Sequence, residues 1–74
     1  MPTLCRIGSI RICMYIDDHN PPHFHALEGQ RAVQMKIVDL TVLAGGLSPV
    51  HMRRVLDWAA AHPDLLAAEW VRLH

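Results

Sequence analysis

Ile10, Ile12, Met14 and Ile16 alternate with Arg11, Cys13, Tyr15 and Asp17. A period of two over this length predicts a half-buried strand whose apolar set faces the core. Arg6-Ile7-Gly8-Ser9 just before it reads as a turn, with Thr3 to Ile7 as a short edge strand. Asp18-His19-Asn20-Pro21-Pro22 then carries reversal chemistry, because Asp and Asn side chains bond nearby backbone and proline pre-sets φ. A second strand is predicted from His23 to about Glu28, and Leu27-Glu28-Gly29-Gln30 supplies a tight turn. A third is predicted over residues 31–38, with Val33, Met35 and Ile37 on one side and Gln34 and Lys36 on the other. Residues 39–44 read as a short hairpin arm ending at Gly45-Gly46.

Beyond Gly46 the period changes. Ser48 suits an N-cap, and Pro49 suits the first helical position, where a missing amide is harmless. Met52, Val55, Leu56, Ala59 and Ala60 form a helical stripe. Arg53 and Asp57, four residues apart, can pair on the wet side. His62 precedes Pro63, which ends the helix, and a second helix carries Leu66, Trp70 and Leu73 on one side. The predicted fold is α+β: an antiparallel meander of three to four strands within residues 3–44, then two helices at about 49–61 and 63–73 packed on one sheet face. The opposite sheet face is expected to lie open to water.

With 74 residues the chain is read as a single domain, 1–74, and a hydrophobic fraction of 51% suffices for a core. Seven basic and seven acidic residues cancel. That removes the usual electrostatic argument for nucleic-acid binding, although protonated histidines would add positive charge in acid. Two cysteines, Cys5 and Cys13, make no disulfide framework, and no signal peptide or membrane span is read from the sequence. A cytoplasmic protein with reduced thiols is expected, and self-association would suit so small a core.

The run Asp17-Asp18-His19-Asn20-Pro21-Pro22-His23-Phe24-His25 concentrates titratable and metal-capable groups as nothing else in the chain does. If Phe24 points inward, His23 and His25 share the outward face, with Cα atoms about 7 Å apart. Arg11, Cys13 and Tyr15 on the first strand, and Gln34 and Lys36 on the third, would join them in one polar patch. Two chemistries fit. One imidazole could accept a proton from a ribose hydroxyl while the other donates to the leaving oxygen, with Tyr15 nearby and Arg11 or Lys36 neutralising the phosphorane; this needs no cofactor. Alternatively, His23 and His25 could share a divalent transition metal such as zinc or nickel, with Asp17, Asp18 or His19 completing the shell. A plain solvated sheet face is the third reading. His51, His62 and His74 read as structural or solvated, and Trp58 and Trp70 as packing.

The opening Met1-Pro2-Thr3, the strand end Met14-Tyr15-Ile16, the nine-residue histidine run and the helical Arg54-Val55-Leu56-Asp57-Trp58-Ala59 together resemble a family of small bacterial proteins, domain of unknown function 4160. The resemblance spans nearly the whole chain and rests chiefly on the histidine run. It implies a toxin-like component of a toxin–antitoxin module with a small protein partner encoded nearby. Joined to the polar patch, it suggests a ribonuclease working by histidine acid–base chemistry on RNA. A metal-binding module and a protein-interaction module, its rim including Arg53, Arg54 and Asp57, are the alternatives.

Overall fold

The structure, a computed structural model, describes residues 3–74; Met1 and Pro2, two of the residues in the family resemblance, lie outside the described residues. Five strands, β1 (Thr3–Ile7), β2 (Ile10–Cys13), β3 (His23–Glu28), β4 (Arg31–Lys36) and β5 (Val42–Gly45), form one antiparallel sheet in chain order. Helices α1 (Pro49–Ala61) and α2 (Pro63–Leu73) follow. The meander and both helices match the expected fold, with one strand more than expected because residues 42–45 pair with β4, through a register shift that leaves Leu43 unpartnered.

The register puts the apolar alternation to use. Ile12 opposes Ala26, Ala26 opposes Val33, and Phe24 opposes Met35, so these side chains line one sheet face. Val55 and Ala59 of α1, Leu66 and Trp70 of α2, and Leu47 close over that face in a single core cluster. Truncating a fully buried Phe24 to Ala would cost about 3–5 kcal/mol, a large fraction of what a chain this size can hold. Gly45 pairs with Val33 at φ 73°, and a Cβ there would collide with the Ala32 carbonyl, so the β5 edge depends on that glycine.

The helix ends follow local chemistry. Ser48 Oγ accepts the His51 amide at 3.4 Å, and Pro49 opens α1. His62, with φ −132° before Pro63, separates the two helices. Arg53 Nε lies 3.2 Å from Asp57 Oδ1 on the exposed side, as expected.

The strands correct the sequence reading in three places. β2 stops at Cys13, and Ile16 is 71% exposed rather than in the core. β4 stops at Lys36, and Val38 beyond it is 84% exposed. The hairpin arm read over residues 39–44 begins pairing only at Val42 and runs to Gly45. Cys5 opposes Ile12, on the helix side of the sheet, whereas Cys13 opposes His25 on the other side; both thiols are free.

Candidate functional site

The sheet face away from the helices gathers the residues expected there. Arg11 opposes Leu27, Cys13 opposes His25, His25 opposes Gln34, and His23 opposes Lys36. The middle of this face is nevertheless covered. The segment 15–22, of which the sequence reading assigns only 18–22 to a reversal and puts Tyr15 in the strand, folds back over it. The Tyr15 ring meets His25 edge-on, with centroids 4.5 Å apart and planes at 86°. Cys13 Sγ donates to Tyr15 Oη at 3.7 Å. His23 and His25 are consequently only 7% and 9% exposed, which corrects the expectation of two solvent-facing imidazoles. Trp70 adds to the cover: its ring lies 5.5 Å from that of His23, and it stacks on His74 at 3.8 Å. Periodicity cannot show this, because the path of the returning segment is set by its own turn contacts and Trp70 is a long-range neighbour.

Asp18 organises what lies underneath. Its Oδ2 accepts the Tyr15 amide at 3.1 Å, and its own amide donates to the Tyr15 carbonyl at 3.2 Å, so the carboxylate is fixed by its own loop. His25 Nε2 lies 3.1 Å from Oδ2 and 3.3 Å from Oδ1. His23 Nε2 lies 3.6 Å from Oδ1. One donor atom from each of these three residues falls within 4.8 Å of the others. The two rings are 5.2 Å apart and inclined at 55°, so they converge on the carboxylate rather than lying parallel.

The tautomer of His23 follows from its other nitrogen. Nδ1 lies 2.7 Å from the Pro21 carbonyl oxygen, which can only accept, so Nδ1 carries the proton and donates. A neutral His23 therefore turns the lone pair of Nε2 toward the Asp18 carboxylate. Two lone-pair holders facing each other in a buried setting repel unless a cation lies between them. A metal ion, or a proton shared between the ring nitrogen and the carboxyl, would satisfy both. The chain thus supplies two imidazole nitrogens and a carboxylate around one point, with the outer nitrogen of His23 held by backbone, as orienting partners of metal-bound histidines commonly are.

The remaining expected residues divide around this centre. Asp17 and His19 are exposed and lie outside the three-residue cluster. Lys36 is drawn to Asp39, Nζ to Oδ2 3.7 Å, and Thr41 donates from both its amide and hydroxyl to Asp39 Oδ1, at 3.1 and 2.8 Å. These two hydrogen bonds, more than Lys36, hold the Asp39 carboxyl below its ordinary range. Tyr15 is pushed up from the usual phenol value, first by burial and then by Cys13, with Arg11 pulling the other way. His62 Nδ1 donates to the Trp58 carbonyl and His74 Nδ1 to that of Trp70, both at 2.8 Å. His51 Nδ1 lies 2.6 Å from Glu28 Oε1 without hydrogen-bond alignment. These three histidines hold helix ends and the helix–sheet seam. The Pro21 carbonyl and the Trp70 wall escaped the sequence reading; the Pro-Pro step just before His23 was the available sign that backbone oxygen would be near that ring.

Among the described residues no helix is long and apolar enough to cross a membrane. No curated protein and no solved structure gives a significant match to the chain. The sequence model of the family described as domain of unknown function (DUF4160) matches residues 9–71, a span that includes the returning loop, the Asp18–His23–His25 cluster and Trp70. The chain therefore belongs to the domain of unknown function 4160 family.

Proposed function

We propose that the protein binds one divalent transition metal ion through Asp18, His23 and His25. The observation that carries this is the convergence of His23 Nε2 and His25 Nε2 on the Asp18 carboxylate, with His23 Nδ1 already engaged by the Pro21 carbonyl. Donors about 2.0–2.1 Å from a tetrahedral zinc lie about 3.3–3.4 Å from one another; the carboxylate–imidazole separations here run from 3.1 to 3.6 Å, and the three donors lie within 4.8 Å of one another, so the two imidazoles would draw together on an ion. Imidazole with a single carboxylate suits zinc, nickel, iron or manganese. Three protein donors leave a position for water or a ligand. Protein purified without chelator should contain about one equivalent of metal by elemental analysis, and added zinc or nickel should raise the unfolding temperature of the stripped protein. His23→Ala and Asp18→Asn should remove both effects. Stripped protein that neither takes up metal nor melts higher with any of these ions would leave a shared proton as the cation.

A second reading keeps the toxin-like role acting on RNA, and the common face of Arg11, His23, His25 and Lys36 supports it. Expression of the intact chain should then slow growth, and the His23→Ala, His25→Ala double variant should relieve it. Equal toxicity of the double variant would rule out histidine chemistry as the cause.

A further inference from the structure

Beyond Arg11, away from the histidines, the same sheet face opens into a cleft of about 320 Å³ lined by Arg6, Arg11, Arg31, Ser9, Gln30 and Leu27, among others. Arg6 and Arg11 are direct cross-strand partners. Neighbouring strands lie about 5 Å apart, and like charges placed directly opposite oppose folding unless something neutralises them. Among the described residues nothing does: Lys36, Arg53 and Arg72 each have a carboxylate partner, but Arg6, Arg11, Arg31 and Arg54 have none within ion-pair distance, and the first three of these line the cleft. The nearest acid in register, Glu28, is engaged elsewhere: Ser9 Oγ donates to its Oε2 at 2.7 Å, and its Oε1 faces His51. Half of the chain's six arginines therefore meet in one cleft lined by no carboxylate, although the chain as a whole is neutral.

We infer that this cleft binds the phosphodiester backbone of a single-stranded nucleic acid. The guanidinium groups belong to Arg, whose planar fork matches phosphate oxygens and whose charge persists at every working pH. They do not belong to one strand: the row Arg6, Arg11, Leu27, Ala32 crosses β1 to β4 in register, and Arg31, which opens β4 opposite Glu28, lines the cleft at its rim. Three interstrand steps span about 14 Å, more than one phosphate occupies and enough for a short run of backbone. Leu27 interrupts the cationic row with an apolar surface on which a sugar or base can rest, the mixture of charge and apolar platform that single strands use. The inference does not rest on the metal site, and it names the surface that the RNA-directed reading would require.

Fluorescence anisotropy of a short fluorescein-labelled oligouridylate, titrated with the full chain across a salt series, tests it. Three phosphate contacts at about 0.7 each give an expected slope of log K against log salt of about −2. Arg6→Gln, Arg11→Gln and Arg31→Gln should each weaken binding severalfold and flatten the slope by about 0.7. Arg53→Gln, which removes an equal charge on α1, should change neither. Circular dichroism melting should show the Arg6 and Arg11 variants at least as stable as the parent, so lost binding is not lost fold. Absence of binding at low salt, unchanged binding by the Arg6→Gln, Arg11→Gln pair, or equal loss with Arg53→Gln would overturn the inference. So would displacement by polyglutamate or inorganic phosphate as effective as by unlabelled oligouridylate, which would mark an acidic peptide or a free anion as the ligand. Binding read this way stands or falls separately from any growth effect of the histidine variants.

Discussion

The two ends of the sheet face opposite the helices handle charge in opposite ways. At one end Asp18, His23 and His25 are covered by a returning loop and Trp70, and each polar group is aimed at another. At the other, Arg6, Arg11 and Arg31 face an open cleft with no counter-charge among the described residues. The first arrangement is closed and needs only a small cation. The second is open and needs an anion from outside. Burial and pairing thus separate two sites that a composition summing to zero net charge conceals.

The difference is sharpest where substitutions act with opposite sign. Trp70→Ala removes the wall of His23 and part of the core, and should cost about 3–5 kcal/mol; urea unfolding should show much of the variant unfolded without denaturant, whereas Trp70→Phe should retain a cooperative transition. Asp18→Ala leaves His25 Nε2 without its partner and frees the Tyr15 amide. It should lower metal-free stability by about 1–3 kcal/mol and abolish stabilisation by zinc, both read from denaturant curves with and without chelator. The arginine end should respond the other way. Arg6→Gln should raise stability by about 0.2–1 kcal/mol in the same urea assay, and a loss of similar size would mean that the arginines are neutralised within the fold.

Lys36 sharpens the comparison with a smaller effect, because it lies on the same face but has an internal partner. The Asp39 carboxyl is depressed below 3.8, chiefly by Thr41. A depressed folded value means that the unfolded chain takes up the proton first as pH falls. This contribution is fully present above the unfolded value and is lost as pH drops through the folded one. Asp39→Asn should therefore flatten the acid limb of the stability profile below about pH 4 and leave the profile unchanged near neutrality. An unchanged acid limb would show that the Thr41 contacts do not persist in solution.

Much of the fold can be read from local chemistry. Ser48-Pro49 and His62-Pro63 mark both helices, and Gly8-Ser9 and Gly29-Gln30 mark two hairpins, because caps and turns act within a few residues. The strand ends are harder. Ile16 continues the alternation of β2 but belongs to the returning loop, since Asp18 captures the Tyr15 amide and turns the chain away from the ladder. The same capture buries the histidines, so their shared face was predictable and their cover was not. Arg6 shows the converse. A two-residue Gly8-Ser9 turn fixes Ile7 opposite Ile10 and Arg6 opposite Arg11, so the repelling pair is implicit in the sequence once that hairpin register is applied.

The shared-cation geometry has one most direct test: long-range proton–nitrogen NMR of the imidazoles, recorded on metal-stripped protein and again with one equivalent of zinc. The expected result is a proton on His23 Nδ1 throughout, with the Nε2 resonances of both His23 and His25 moving to metal-bound positions when zinc is added. A spectrum in which His23 Nε2 holds a proton before and after zinc, with His25 unmoved, would contradict a metal site at Asp18, His23 and His25.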